Sequence, residues 1–283
     1  MAAAAIHNRP VVRGTLFYKM SGSGNDFVML DGRATRIEDW PAAQVRAICD
    51  RRRGVGADGL VMLTPVSPEA VRMTYWNSDG SHGAMCGNAA LCGGRLAVHL
   101  ELVSAGEFCL LTDAGTVRVQ AQASAGRAAI NLPDFEVPGE FTAVSPGRGE
   151  RWMTLLTVGV PHLVIRVEDI EAVDPGARGR SLRFHPTMGP EGANVNFISP
   201  AGEGWLIRTY ERGVEAETLA CGTGTVAAAV ALASRGDALL PMTFRSRGGP
   251  ELTVKAHLSE GVATNVWLEG EGQLVFRGVW EGV

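Results

Sequence analysis

The chain has 283 residues, 46% of them hydrophobic, which is enough apolar material for a folded core and argues against intrinsic disorder. Its net charge of −4 argues against a nucleic-acid-binding surface, and its five cysteines, an odd number, argue against a complete disulfide framework. The 36 glycines are roughly twice the average usage of about 7%. They have no period of three, so we expect them to mark turns and close approaches of the backbone.

The N-terminal sequence predicts no targeting segment. It lacks the basic region and the apolar stretch of about 7–15 residues that mark a secretory signal, and residues 1–14 are expected to form a frayed tail. No run of about 18 apolar residues is present, so we expect no membrane partner. These features favour a cytoplasmic protein whose cysteines are reduced.

The first part of the chain alternates predicted strands with two helices. Glycine, asparagine and aspartate residues separate the strands, as they do at turns, and Pro41 suits the first turn of the earlier helix. Strands are expected at 15–20, 27–30, 60–63, 71–76, 108–112, 116–122 and 128–132, and helices at 41–52 and from Cys86 to about residue 102.

The second part repeats this plan after residues 133–149, a segment rich in proline, glycine and glutamate. The apolar run after Cys221 predicts a buried helix that reaches Arg235 and is closed by Gly236 as its C-cap. We therefore divide the chain into an N-terminal half, residues 15–140, and a C-terminal half, residues 141–283. Strands are expected in the second half at 152–158, 162–167, 194–198, 205–210, 242–246 and 252–256.

The two halves agree in spacing as well as in plan. Asn77 precedes Cys86 by as many residues as Arg212 precedes Cys221, and the two cysteines are separated by close to half the chain length. Each cysteine is followed by glycine, then by a helix, then by a hairpin with a glycine turn. The sequence thus predicts an α/β (α+β) fold of two similar halves, each presenting one cysteine at the start of a helix.

This arrangement predicts a specific chemistry. A cysteine at the start of a helix faces unpaired N–H groups and the positive end of the helix dipole, which should lower the thiol pKa below about 8.5. The same N–H groups suit a carboxylate. If the two helix starts face each other, a carboxylate between them has a thiol on each side of its α-carbon. One thiolate can then remove the α-proton while the opposite thiol delivers a proton to the other face, which inverts the carbon by general acid–base catalysis.

Six segments of the chain resemble the diaminopimelate epimerase family and occur in that family's order. The resemblance covers roughly residues 15 to 282, and both cysteine motifs belong to it. The segments are KMSGSGNDFVMLDGR (19–33), GVGADGL (54–60), NSDGSHGAMCGN (77–88), NVNF (194–197), YERG (210–213) and ETLACGTGT (217–225).

The resemblance implies two pseudo-symmetric halves, each with a sheet around a central helix, and an active site in the cleft between them. It implies a homodimer that uses no cofactor or metal and interconverts LL-2,6-diaminopimelate and meso-diaminopimelate in lysine biosynthesis. By resemblance, Cys86 and Cys221 are the acid/base residues, and His162 and Glu211 are further catalytic residues. The positions that match substrate contacts are Asn25, Asn77, Gly87, Asn88, Asn194, Glu211, Arg212, Gly222 and Thr223.

The chain also departs from the family pattern. The family usually has asparagine where this chain has Val160, and the expected glycine and arginine after the first cysteine motif are Ala89 and Leu91. The stretch from Glu211 to Cys221 is one residue longer than usual. None of these changes touches a thiol, but Val160 alters the site expected for the distal end of the substrate. An epimerase or racemase of the same fold that acts on another amino acid, such as histidine, is therefore an alternative.

Several of these residues also have ordinary structural interpretations. Asn25 and Asn77 suit tight turns by themselves. Glu211 and Arg212 could form an exposed ion pair, and His162 could be a buried structural histidine.

The remaining cysteines carry no predicted chemistry, because free cysteine usually behaves as a small buried hydrophobe. These are Cys49, Cys92 and Cys109. The sequence contains no closely spaced pair of potential metal ligands, so it predicts no zinc site. An alternative from another class is a non-catalytic binding protein in which Cys86 and Cys221 form a redox-sensitive disulfide.

Overall fold

The computed structural model describes residues 14–122, 126–139, 141 and 143–282. Apart from Gly14, the predicted N-terminal tail lies outside the described residues. The strands of the first half are β1 (Thr15–Gly22), β2 (Asn25–Asp31), β3 (Gly59–Ser67), β4 (Ala70–Asn77), β5 (His82–Gly83), β6 (Gly106–Thr112), β7 (Gly115–Ala121), β8 (Arg127–Leu132) and β9 (Phe135–Glu136). Its helices are α1 (Ala42–Cys49) and α2 (Gly87–His99).

The second half begins with strand β10. Its strands are β10 (Glu150–Val158), β11 (Val160–Val167), β12 (Asn194–Ala201), β13 (Gly204–Glu211), β14 (Ala216–Thr218), β15 (Met242–Ser246), β16 (Glu251–Ser259), β17 (Val262–Glu271) and β18 (Gln273–Trp280). Its helices are α3 (Arg180–Arg183) and α4 (Gly222–Arg235), and a π-helical turn, Pro175–Gly179, leads into α3.

The two halves share one sequence of strand pairings. In the first half β1 pairs antiparallel with β2, β2 parallel with β3, β3 antiparallel with β4, β4 parallel with β6, and β6, β7 and β8 follow antiparallel. The second half repeats the series from β10 to β17 in the same order and with the same directions. The predicted two-half α/β architecture is confirmed at the level of strand topology.

Two sets of pairings connect the halves. Strand β8 pairs antiparallel with β17, which joins the two sheets at equivalent edges. Strand β18, at the end of the chain, pairs antiparallel with β1 at its beginning. The C-terminal strand therefore completes the sheet of the first half. The division between residues 140 and 141 stays a prediction.

Each sheet curves around one buried helix. Helix α2 in the first half and α4 in the second belong to the same apolar cluster, together with the inward side chains of both sheets. Their sequences suit this position because alanine and glycine let strands approach a helix closely on all sides. Helix α1 covers the other face of the first sheet, and α3 covers the matching face of the second. Within the described residues, no helix is long and apolar enough to cross a membrane.

Helix ends differ from the predictions where a local side chain or backbone angle intervenes. Helix α1 ends at Cys49 rather than near residue 52, because Asp50 is extended and its carboxylate accepts from the backbone N–H groups of Arg52 and Arg53 at 2.8 Å. Helix α2 ends at His99, before Glu101 adopts a φ of 54°. The C-cap prediction is confirmed, since Gly236 has a φ of 74°. Strands β17 and β18 were not predicted from the sequence.

Candidate active site

The two helix starts carry the two predicted cysteines in nearly the same backbone conformation. Cys86 is the N-cap of α2 with φ −137° and ψ 123°, and Cys221 is the N-cap of α4 with φ −135° and ψ 108°. A Cβ built on Gly222 would lie 3.9 Å from Asn88 Oδ1, so the two helix starts face each other. All five cysteines are free. The topology therefore brings one thiol from each half to the same cleft.

Both thiols have raised pKa values. Burial raises the pKa of Cys86, and the backbone N–H groups of Ala89 and Asn88 oppose it only in part. Burial, followed by the charge of Glu211, raises the pKa of Cys221 to about 12, against the N–H of Gly224 and the Thr223 hydroxyl. The expectation of depressed thiol pKa values is wrong here, because the loss of hydration outweighs the helix starts.

Glu211 lies near both thiols at the end of β13. Its negative charge contributes to the raised pKa of Cys86 and of Cys221, after burial in each case. Burial also raises the pKa of Glu211 itself. The structure thus places a third proton-carrying group beside the two cysteines, as the resemblance implied, and its environment favours the neutral acid more than water does.

His162 is fully buried and held by a neighbouring asparagine. Asn196 Nδ2 lies 3.2 Å from His162 Nδ1, while Asn196 Oδ1 accepts from Thr209 Oγ1 at 2.9 Å. Because Asn196 turns its amide nitrogen toward the ring, Nδ1 is the acceptor and Nε2 carries the proton. Burial, with a contribution from the charge of Arg212, lowers the pKa of His162 to about 3. The imidazole is therefore neutral near pH 7.

Asn196 also connects His162 to the second helix start. A Cβ built on Gly224 would lie 2.2 Å from Asn196 Oδ1 and 3.3 Å from Cys221 Sγ. Cys221 Sγ is in turn 3.7 Å from Thr223 Oγ1. Asn196 and Gly224 thus connect His162 with Cys221 and Thr223 at the first turn of α4.

A chain of side-chain hydrogen bonds supports the first helix start. Asn88 Nδ2 donates to Asn25 Oδ1 at 2.6 Å, and Asn25 Nδ2 donates to Asp58 Oδ2 at 3.0 Å. Asn88 is buried, and its Oδ1 atom has no hydrogen-bond partner in the described part of the chain. The two predicted asparagines therefore contact each other directly.

Two further predicted residues lie at strand ends, Asn77 at the end of β4 and Asn194 at the start of β12. Tyr75 Oη donates to Asn77 Oδ1 at 2.9 Å, and Asn77 Nδ2 donates to Ser81 Oγ at 3.0 Å. Asn194 Oδ1 accepts from the backbone N–H of Arg212 at 2.7 Å. Asn77 and Asn194 therefore hold turns as well as being candidates for substrate contact.

Arg212 keeps a charge available to a ligand. Its guanidinium is 3.4 Å from the carboxylate of Glu191, whose side chain is 82% exposed. An exposed pair of this kind contributes little and is readily exchanged. At the helix starts, the first backbone N–H groups, including those of Gly87, Gly222 and Thr223, have no partner within the helix.

Sequence reasoning missed residues that act behind the predicted ones. Asp58, within GVGADGL, and Asn196, within NVNF, carry most of the supporting contacts. Their only sequence signal was membership of the recognised segments, because their partners are far away along the chain. Cys92 is fully buried in α2, as predicted for a structural cysteine.

Comparisons with known proteins agree with this organisation. The family model described as diaminopimelate epimerase matches residues 17–132 and 154–265, one segment in each half. The chain is 43% identical over 280 residues to a diaminopimelate epimerase of Gemmatimonas aurantiaca, covering 94% of this chain and 99% of that protein. It is 37% identical over 273 residues to one of Aquifex aeolicus, covering 93% and 96%.

Solved structures share the fold at low sequence identity. A PhzF-family phenazine biosynthesis protein of Bacillus anthracis matches with a TM-score of 0.70 and 13% identity, covering 95% of this chain and 99% of that one. A hydroxyproline epimerase of Agrobacterium vitis matches with a TM-score of 0.66 and 18% identity, covering 96% and 92%. These likenesses concern the fold, whereas the family model and the close relatives identify the sequence. The chain belongs to the diaminopimelate epimerase family.

Proposed function

We propose that this protein interconverts LL- and meso-diaminopimelate by transferring an α-proton between Cys86 and Cys221, as a step of lysine biosynthesis. The observation that carries the proposal is the pair of cysteine N-caps that face each other from equivalent helices. The family relationship supplies the substrate.

The helix starts would bind the carboxylate at the reacting carbon. Free N–H groups and two positive helix ends stabilise a carboxylate and the negative charge that develops as the α-proton leaves. With the carboxylate between α2 and α4, the α-carbon has one sulfur on each face. One thiolate takes the proton, the carbanion forms, and the opposite thiol protonates it from the other side. The enzyme then holds the thiolate on the other cysteine.

Formation of the thiolate requires help, because both thiol pKa values are raised. The substrate ammonium group, brought close to the sulfurs, favours the charged form. Glu211 is suited to exchange a proton with the nearby thiol, since its own pKa is raised toward that of a usable acid. His162 is proposed to support Cys221 as a neutral group through Asn196 rather than as a cation.

The distal end of the substrate would meet residues around the strand ends. Arg212 can bind a carboxylate in a bidentate manner, while Asn25, Asn77 and Asn194 offer amide groups. Where the family usually has asparagine, Val160 offers no side chain that could form a hydrogen bond.

Solvent exchange at the α-carbon tests the mechanism. The reduced protein should incorporate deuterium from D₂O into LL-diaminopimelate and produce the meso isomer without added cofactor. Cys86→Ala and Cys221→Ala should each abolish epimerisation, whereas Cys109→Ala, a partly exposed cysteine on β6, should not. Retained epimerisation in either active-site variant would refute the two-base mechanism.

The same assay separates the two alternatives. A panel of amino acids that includes histidine tests whether Val160 signals another substrate; exchange of histidine without exchange of diaminopimelate would favour that reading. A non-catalytic binding protein with a disulfide between Cys86 and Cys221 would bind diaminopimelate and give no deuterium incorporation even when reduced. Under our proposal, oxidation that joins the two sulfurs abolishes activity and reductant restores it.

We also propose a cytoplasmic homodimer. Free cysteines fit a reducing compartment. Leu16 on β1 and Val279 on β18 are exposed apolar residues that pair directly across the two strands, so their side chains form a small apolar patch on one face of the sheet. Such a patch is typical of an interaction surface. Sedimentation analysis should give a dimer, and Val279→Glu should weaken it.

A further inference from the structure

A connected set of charged side chains lies behind the first helix start. Arg51 contacts Asp26 through both terminal nitrogens, at 2.9 and 2.7 Å, and its Nη2 is also 2.7 Å from Asp58 Oδ1. Lys19, which is buried, donates to Asp26 Oδ2 at 2.7 Å. Burial alone would raise the pKa of Asp26, but the hydrogen bonds from Arg51 and Lys19 exceed that effect and lower it. The set therefore holds two carboxylates at the start of β2 and β3.

Asp58 determines which way the next side chain turns. Its Oδ2 atom accepts from Asn25 Nδ2 at 3.0 Å and from the backbone N–H of Asp26 at 3.2 Å. A carboxylate has only acceptors. Asn25 must therefore direct its NH₂ group to Asp58 and its oxygen away from it.

The orientation of Asn25 fixes the orientation of Asn88 in the same way. Asn25 Oδ1 can only accept, so Asn88 directs its amide nitrogen to it, at 2.6 Å. The Asn88 oxygen is left without a partner among the described residues. It is turned toward the opposite helix start, 3.9 Å from the position of a Cβ on Gly222. An acceptor without a partner is thus buried between the two helix starts.

The second half shows that the fold does not need this arrangement. Because His162 pairs with Asn194 as Phe27 pairs with Gly59, the equivalent positions in the two halves can be matched residue by residue. The positions that match Asn25, Asp26 and Asp58 hold Val160, Pro161 and Ala193. Strands β10 to β12 and helix α4 form with the same topology without these polar groups. Their presence in the first half alone points to a role in the site rather than in the fold.

We infer that Asp58 is a positioning residue that acts through Asn25 to fix the amide orientation of Asn88 at the substrate. This inference rests on the epimerase function proposed above. Among the described residues, the Asp58 carboxylate makes no hydrogen bond to the second helix start, and its charge raises the pKa of Cys86 less than burial and the charge of Glu211 do. Its effect on the substrate passes through two asparagine side chains, each of which would otherwise be free to rotate its amide by half a turn.

The test measures KM and kcat for LL-diaminopimelate with Asp58→Ala, Asn25→Ala and the double variant. Asp58→Ala should raise KM about tenfold, the lower end of the effect known for losing a residue that orients a metal ligand. Because Asp58 acts through Asn25, the double variant should differ from the more affected single variant by less than about twofold. A merely structural role would reduce the folded fraction, which lowers apparent kcat and leaves KM unchanged.

A matched control is available on β2, the strand that begins with Asn25. Asp31, at the other end of β2, pairs with Arg33 at 2.7 Å. Asp31→Ala removes a comparable carboxylate–arginine pair and should leave KM unchanged. If Asp58→Ala does not fold, Asp58→Asn replaces it. That side chain can still accept from Asn25 only by turning its NH₂ group toward the Arg51 guanidinium, so KM should still rise at least threefold.

Two results would overturn the inference: a KM within twofold of wild type for the folded Asp58 variant, or effects of Asp58→Ala and Asn25→Ala that multiply in the double variant. Calorimetric titration with diaminopimelate runs beside the kinetics. If the wild type binds diaminopimelate but does not exchange its α-proton, the epimerase proposal fails, and the ratios of Kd among the variants decide the role of Asp58. If the wild type neither binds nor exchanges it, both proposals fail.

Discussion

Replacing Gly224 by alanine adds one methyl group at a point that is already occupied. The new Cβ would lie 2.2 Å from Asn196 Oδ1, so that oxygen must retreat by roughly 1 Å to reach ordinary contact. The movement breaks the hydrogen bond from Thr209 Oγ1, now 2.9 Å, and disturbs the contact with His162 Nδ1. All three partners are buried, so water cannot replace the lost bonds.

The expected cost follows from these contacts. A buried polar group without a partner costs about 1–3 kcal/mol, and overpacking a filled site costs about 1–3 kcal/mol. Alanine gains up to about 1 kcal/mol over glycine within a helix. The burial terms are larger, so we expect Gly224→Ala to lower the free energy of unfolding by about 3 kcal/mol. Helix propensity alone would predict the opposite sign.

The first half of the chain supports a destabilising effect of Gly224→Ala. The residue that matches Gly224 is Ala89, which is fully buried and accommodated, and the residue that matches Asn196 is Val61. Alanine is therefore tolerated at this helix position where valine faces it. Asn196 is what requires glycine at residue 224.

Urea unfolding, followed by tryptophan fluorescence and circular dichroism under reducing conditions, measures the effect. Gly87→Ala is the control, because its Cβ would meet only Ile130, at 3.7 Å; its change should stay below about 1 kcal/mol. In an Asn196→Ala background the added cost of Gly224→Ala should fall below about 1 kcal/mol. Equal or greater stability of Gly224→Ala in the wild-type background would refute the steric reasoning.

Three further predictions concern the site. Because burial raises the pKa of Cys221 to about 12, iodoacetamide should alkylate it more slowly than free cysteine at pH 8, with a rate that rises about tenfold per pH unit; Glu211→Gln should increase the rate several-fold by mass spectrometry, and a pH-independent rate would contradict this. Burial lowers the pKa of His162 from 6.5 to about 3, so the unfolded state binds more protons in that window. Above pH 6.5 His162 should therefore not affect the free energy of unfolding. Between pH 6.5 and about pH 3 that free energy should fall on acidification by up to about 1.4 kcal/mol per pH unit, and His162→Gln should flatten this slope in urea titrations. Val160→Asn should lower KM for diaminopimelate about tenfold at unchanged thermal stability; an unchanged KM would show that this position does not contact the substrate.

Local sequence determined the elements that build the site. Four features could be predicted because they depend on backbone preferences and on periodicity within a few residues. They are the helix starts at Cys86 and Cys221, the buried run of α4 and the Gly236 cap. The repeated spacing of the halves was visible for the same reason. Helix and strand ends moved by several residues where single side chains, such as that of Asp50, intercept backbone groups.

Contacts across the chain were decided only by the tertiary structure. No local pattern indicates that β18 returns to pair with β1, or that Asp58 reaches Asn25 and through it Asn88, because these partners are distant in sequence. The direction of the thiol pKa shifts is of the same kind. The start of a helix lowers a cysteine pKa, but the desolvation that raises it arises from everything packed around the sulfur, and that packing exists only once both halves have closed on the cleft.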